Sequence, residues 1–225
     1  MDNTKTYTPE IVKEIQKAHA NQVFEHAFKF ASIQAHLAAY AQTLWDNLCD
    51  LKPHAFAQVS NYHPDYLGKD AEYLKKANLT FKDCQLTTAA NFGFNTWEQV
   101  EHLGNLTYNT IFESAINHLI RGETEALKRV IAQYPDIVKM HSQYGHKATI
   151  LHYASSNGVE MWRQQVPENL PELIKILIEA GADPNAKMHV YNNNLRTLDL
   201  LKTSAHPTVI GVGEESAKVL EESAF

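Results

Sequence analysis

Cysteine is scarce: Cys49 and Cys84 are the only two in 225 residues. One pair makes no disulfide framework, and two buried thiols in a reducing cytosol are the expectation. No run of about 18 apolar residues occurs, so no membrane span is expected. The opening Met1-Asp2-Asn3-Thr4-Lys5 lacks the apolar stretch of a secretory signal, which points to the cytoplasm. A surplus of positive charge is missing as well. Residues 1–104 carry 9 Lys against 12 acidic groups, and residues 105–225 carry 11 Lys and Arg against 14. Neither half offers the basic face that a phosphate backbone requires, so nucleic acid is excluded as the partner. Gly-rich phosphate loops, a nucleophile elbow and paired acid–base motifs are all absent. No catalytic residue and no cofactor are therefore assigned.

Gly and Pro are also absent between Glu10 and Lys52. Thr8-Pro9-Glu10 reads as a helix start, with Thr as the cap and Pro in the first turn. Apolar residues then recur near helical spacing: Ile11, Ile15, Ala18, Phe24, Phe28, Ala38, Ala41, Leu44, Trp45, Leu48. One helix over the whole stretch is too long for an ordinary domain. Two helices broken near Ala20-Asn21 or Ser32 are expected, with one long self-associating helix as the alternative. Pro53, Pro64 and Gly68 mark a loop holding a short helix. Helices are expected over 70–78 and 81–91, with Gly93 in a left-handed cap, and another begins after Asn95 or Thr96. Nothing in residues 1–104 reads as a strand, and Gly104 is the expected boundary.

A pattern recurs from residue 111 onward. Thr149-Ile150-Leu151-His152-Tyr153-Ala154 is followed by Gly158. Glu172 through Glu179 follows, then Ala180-Gly181-Ala182-Asp183-Pro184-Asn185. Thr149 reads as a cap, with His152 bonding back to it. Gly158 and Gly181 end the two helices, and Leu173, Ile176 and Leu177 form the apolar stripe of the second. A weaker copy runs from Phe112 through Gly122 to Gln133, and an altered one begins at Arg196-Thr197-Leu198. This order resembles the T-P-L-H-x-A and G-A-D-P-N-A landmarks of the ankyrin repeat, with Ile150 where that family has Pro. Helix pairs of this kind bury their apolar faces only against neighbours, so about three form the smallest stable stack.

Residues 79–225 are similar to a group of bacterial ankyrin-repeat proteins of largely unassigned function. A segment of the form D-A-Q-L-x-x-A-R-x-x-G-F-x-S-W precedes the repeats there, and Asp83 through Trp97 stands in its place here. Asn157-Gly158-Val159-Glu160, Arg163-Gln164, Pro167 and Asn169 resemble a repeat loop of that group. Thr203 through Pro207 and Gly211-Val212 resemble a later segment. The resemblance implies an all-α fold: an ankyrin solenoid of about three repeats over 105–225, preceded by an N-terminal helical domain over 1–104. It implies no reaction.

The sequence departs from the repeat in the 13 residues between Gly158 and Glu172. Long loops on a repeat scaffold carry function more often than the scaffold does. Glu160, Met161, Trp162, Arg163 and Gln164, with His189 and Tyr191 in the next hairpin, are the candidate partner-binding residues, because exposed Trp, Tyr and Arg dominate interfaces. Met161 and Trp162 are expected to tuck against the stack rather than to stand out as anchors. His146, Asn169 and His206, with Arg163, could line a polar pocket for an enzyme or sensor. Otherwise they hydrogen-bond the insertion onto the repeats. His141, His146 and His152 lack zinc-ligand spacing, so no metal is assigned. A protein-binding adaptor, monomeric or weakly self-associating, is the functional expectation.

Overall fold

The computed structural model describes residues 4–224, and the chain divides into two compact units. The first is Glu10–Tyr108. It contains α1 (Glu10–Ala18), a 3-10 turn (Phe24–Lys29), α2 (Ile33–Cys49), α3 (Pro53–Tyr62), α4 (Ala71–Lys76), α5 (Phe81–Asn91) and α6 (Trp97–Glu101). The Gly- and Pro-free stretch is thus interrupted, and the interruption ends at Ser32, whose hydroxyl accepts from the Ala35 N–H and caps α2. Pro53 stands in the first turn of α3, where its missing N–H costs nothing. Thr96 caps α6, and Gly93 follows α5 with φ of +77°.

α2 packs on α5, and α3 packs on α1, α4 and α5. Leu44, Leu48, Ala55, Phe56, Val59, Leu74 and Cys84 form a shared core. Each large apolar side chain buried this way contributes about 1.5–3 kcal/mol relative to exposure. Burial pushes the Cys84 thiol up to about 12, so it stays protonated, while Cys49 is exposed rather than buried. Four histidines of this unit are buried, His19, His36, His54 and His63. His19 stacks on Tyr40 with ring centroids 3.7 Å apart, and His36 donates from Nε2 to the Gln22 carbonyl at 2.6 Å.

The second unit joins residues 4–9 to residues 109–224. Its elements are β1 (Thr6–Tyr7), α7 (Thr110–Arg121), α8 (Thr124–Gln133), 3-10 turns at Pro135–Lys139, Ile150–Ser155 and Met161–Arg163, β2 (Val166–Pro167), α9 (Leu170–Glu179), the hairpin β3 (Lys187–Val190) and β4 (Asn193–Arg196), α10 (Thr197–Thr203), α11 (Ala205–Val209) and α12 (Gly213–Glu222). α7 packs on the Ile150–Ser155 turn, and that turn packs on α10. α12 packs on both α9 and α10. Leu151 and Leu177 are fully buried, and Leu198 is 9% exposed.

Three expectations are corrected. The boundary lies at Tyr108–Asn109 rather than Gly104, and residues 4–9 belong with the C-terminal elements. Thr6–Tyr7 is a strand, antiparallel to Val166–Pro167, so the N-terminal part of the chain is not strand-free. Thr8 does not cap α1: its hydroxyl donates to Gln165 Oε1 at 3.4 Å. The helix expected after Thr149 is also tightened to 3-10 geometry and closes at Ser156, in left-handed conformation, ahead of Gly158. His152 does bond back to its cap. The Thr149 N–H donates to His152 Nδ1 at 3.0 Å.

Gly122 closes α7 with φ of +75°. A Cβ there would lie 2.8 Å from Asn169 Oδ1 and Thr4 Cγ2 and 2.9 Å from Pro167 Cβ. Gly122→Ala therefore combines left-handed strain with a clash against packed neighbours. It should cost at least about 2 kcal/mol in urea unfolding of the second unit. A loss under about 0.5 kcal/mol would show that the neighbours yield.

Candidate functional site

The richest polar constellation is in the interior of the second unit. Glu113 and Asn117 stand one turn apart on α7, Tyr153 lies in the Ile150–Ser155 turn, His146 in the loop before it, and Arg163 ends the Met161–Arg163 turn. Arg163 is fully buried. Its Nη2 donates to Asn117 Oδ1 at 3.3 Å and forms an ion pair with Glu113, 2.6 Å from Oε2, and its Nη1 lies 3.7 Å from Glu160 Oε2. The guanidinium carbon lies 4.4 Å from the Trp162 ring and 5.4 Å from the Tyr153 ring. The planar fork of arginine suits this two-sided role, which a lysine ammonium could not fill.

Glu160 collects the other donors. His146 Nε2 donates to its Oε1 at 2.9 Å and the Tyr153 hydroxyl at 3.1 Å. The Ala148 N–H donates to His146 Nδ1 at 3.0 Å, so that nitrogen is bare and the proton resides on Nε2. Protonating Nδ1 would break that bond.

The two carboxylates are tuned in opposite directions. Burial raises Glu113 above the ordinary carboxylate range, and Arg163 only partly offsets this. Burial pushes Glu160 up too, but the His146 hydrogen bond and the Arg163 charge outweigh it and hold Glu160 below that range. Burial works against the charge of Arg163, yet the two carboxylates hold its pKa above the usual guanidinium value. Glu113 is thus the easier of the two carboxylates to protonate, although Arg163 lies nearer to it than to Glu160.

The sequence-derived partner residues divide sharply. Glu160, Met161, Trp162 and Arg163 are 0–4% exposed. The insertion that carries them is packed into the unit, so none of the four can meet a partner from the surface. The physical reason is size: the insertion places Trp162 and Arg163 against Tyr153 and α7, where apolar area and charge pairing are both satisfied. Gln164 is half-exposed and donates from Nε2 to the Val159 carbonyl at 2.9 Å. His189 and Tyr191 are exposed.

Of the polar-pocket candidates, His146 joins Arg163 through Glu160, inside the protein. Asn169 donates from Nδ2 to the Gly122 carbonyl at 3.1 Å and to Thr124 Oγ1 at 2.8 Å. His206 pairs with Ser156, Nδ1 to Oγ at 3.2 Å, with Tyr7 alongside. These groups have separate partners and do not converge on one opening. A surface depression of about 350 Å³, lined by Asn109, Ile111, Tyr134, Ile137 and Met140 among others, contains none of them.

Sequence reasoning missed Glu113, Asn117 and Tyr153. The available signal was a Glu–Asn pair at i, i+4 beside Phe112, Ala115, Ile116, Leu119 and Ile120, which are all buried. Two polar residues bracketed by apolar ones on a helix require an internal counterion.

The exposed feature is the β3–β4 hairpin. Its turn residues, Tyr191 and Asn192, both take left-handed backbone, with φ of 54° and 56°. That is the two-residue turn whose twist matches a hairpin, here without a glycine. The Tyr191 hydroxyl donates to Asn157 Oδ1 at 2.7 Å, and Asn157 donates onward to Thr203 Oγ1 at 3.0 Å. The His189 N–H donates to the His146 carbonyl at 2.9 Å. The tip is thus tied back to the unit while Tyr191 stays 60% exposed.

Among the described residues no group of three or more His, Cys, Asp or Glu is arranged to hold a metal ion. No described helix is long and apolar enough to cross a membrane. No family model, no curated protein and no solved structure matches the chain.

Proposed function

We propose that the second unit is a short ankyrin-type array that serves as a non-catalytic protein-binding adaptor, with the β3–β4 hairpin as its contact surface. Support for the array comes from the order of the elements: α7 with α8, the Ile150–Ser155 turn with α9, and α10 with α12, packed in sequence. A hairpin stands where the repeat's G-A-D-P-N-A segment leads to the next pair. The internal Glu113–Arg163–Glu160–His146 network is then a clamp that ties the insertion to α7.

The observation that carries the contact surface is the tip at Tyr191. Left-handed backbone at a non-glycine residue costs of order 1–3 kcal/mol, and it persists only where surroundings hold it. Here the hydroxyl bond to Asn157 does so, while the residue as a whole stays exposed. A rigid, exposed tyrosine is a favoured hot-spot residue, because little side-chain entropy is lost when it is covered. His189, exposed on β3, supplies an adjoining polar contact.

Tyr191→Ala combined with His189→Ala should abolish capture of the partner from a bacterial lysate while changing unfolding free energy by under about 1 kcal/mol. Equal capture by the folded variant and the wild type would remove the hairpin from the contact surface.

A further inference from the structure

We propose that the edge at Val166–Glu168 is a strand-addition groove for an extended, hydroxyl-bearing peptide of a partner protein, and that residues 4–8 of this chain occupy it in cis and keep it closed. The proposal deepens the adaptor reading and rests on it for the partner's role.

Residues 4–8 lie along the insertion as a strap. Thr6 pairs with Pro167 and Tyr7 with Val166. The Glu168 N–H donates to the Lys5 carbonyl at 3.0 Å, the Thr6 hydroxyl to the Arg121 carbonyl at 3.2 Å, and the Thr8 hydroxyl to Gln165 Oε1 at 3.4 Å. Backbone pairing with side-chain bonds at alternate residues is the pattern by which sheet edges bind peptides.

Two features make the strap replaceable. It buries little: Thr4, Thr6, Tyr7 and Thr8 are only partly covered, and Lys5 is exposed. A two-residue ladder with so little apolar area is marginal in water. The groove, by contrast, is held without the strap. Gln165 donates to the Ile120 carbonyl at 3.3 Å, and Asn169 donates to the Gly122 carbonyl and to Thr124 Oγ1. Removing the strap leaves a preformed edge with the Glu168 N–H unpaired, which is an open template for another strand.

The groove also holds an unused acceptor. Asn169 Oδ1 is buried without a hydrogen-bond partner. It borders the space beside Gly122 that Thr4 approaches with its methyl group. A partner residue carrying a donor at the place of Thr4 would gain a bond that the strap does not make.

The test uses a dye-labelled peptide of residues 4–9 (Thr-Lys-Thr-Tyr-Thr-Pro) and two proteins, the full chain and one lacking residues 1–8. Fluorescence anisotropy should show saturable binding to the truncated protein and binding roughly tenfold weaker or more to the full chain, where the strap competes at an effective concentration in the millimolar range. The Glu168 amide should exchange rapidly in the truncated protein and regain protection when peptide is added. The peptide with Thr6→Ala and Thr8→Ala should bind more weakly. A truncated protein that folds and does not bind overturns the proposal, as does equal binding by the full chain. Concentration-dependent dimers of the full chain overturn it too, because the occupant would then be a second copy. If the truncated protein does not fold, the full chain carrying Thr6→Ala and Thr8→Ala should bind the peptide more tightly than wild type, and no gain sinks the idea. None of these outcomes depends on the β3–β4 hairpin, whose failure in lysate capture is read separately.

Discussion

Replacing Arg163 with leucine should destabilise the second unit by about 3–5 kcal/mol, a large share of the 5–15 kcal/mol available to a typical domain. The guanidinium is fully buried and is the counterion for both Glu113 and Glu160. Leucine removes the charge and leaves two interior carboxylates facing each other across apolar surroundings. The carboxylates themselves should differ. Glu113→Gln should cost about 1 kcal/mol, because burial already drives Glu113 toward its neutral form and the amide oxygen still faces Arg163. Glu160→Gln should cost about 2–3 kcal/mol more. Glu160 is the carboxylate held charged, and it accepts from His146 and Tyr153 as well as facing Arg163. Urea unfolding followed at the Trp162 indole resonance reports on this unit. Equal costs for the two glutamates, or an Arg163→Leu cost below about 1 kcal/mol, would refute the clamp.

Acid should weaken each unit, and one buried histidine in each should contribute a large part of the loss, beside Asp83 in the first unit and Glu160 in the second, whose pKa values are also lowered. His19 is 1% exposed and held near pKa 4, chiefly by burial, against an ordinary 6.5. Its Nδ1 donates to Gln22 Oε1 at 3.0 Å, while Nε2 is buried with no partner to share a second proton. His152, in the second unit, is likewise held near 4, again chiefly by burial. Both folded values lie below the ordinary one, so the unfolded chain binds the proton first. The stabilisation is complete above about pH 6.5, declines as pH falls toward 4 and is gone below it. Each shift corresponds to about 3 kcal/mol. Midpoints of urea unfolding at pH 7.0, 5.5 and 4.5, read at the Trp45 and Trp162 indoles, should fall for both units. His19→Phe keeps a ring on Tyr40 and should reduce the pH dependence of the first unit alone, and His152→Gln should reduce that of the second alone. A pH profile unchanged by either substitution would assign acid sensitivity to other groups.

Helix positions were legible wherever local chemistry dictates them. Residues 81–91 form a helix because Thr80 and Asp83 close a capping box and Gly93 supplies the left-handed exit. Ser32, Thr96 and Gly122 mark ends for the same reason: a short polar side chain or an absent Cβ acts within one turn of its own position. The fate of the insertion was legible only in part. That Met161 and Trp162 tuck inward was expected and the structure bears it out, but that Arg163 follows them inside was not. Its place depends on Glu113 and Tyr153, which are 50 and 10 residues from Arg163 in the chain. The candidate site shrank accordingly from seven residues to the exposed hairpin, where His189 and Tyr191 remain.

By itself, then, the amino-acid order determined a mainly helical, mildly acidic chain with its helix ends at recognisable caps, because those features are settled by neighbours within a few residues. Tertiary structure alone decided that Arg163 is internal, that Glu113 is pushed up while Glu160 is held low, and that residues 4–8 pair with the edge at Val166. Each of these depends on desolvation or on strand pairing between groups far apart in sequence, and such energies exist only once the chain has folded.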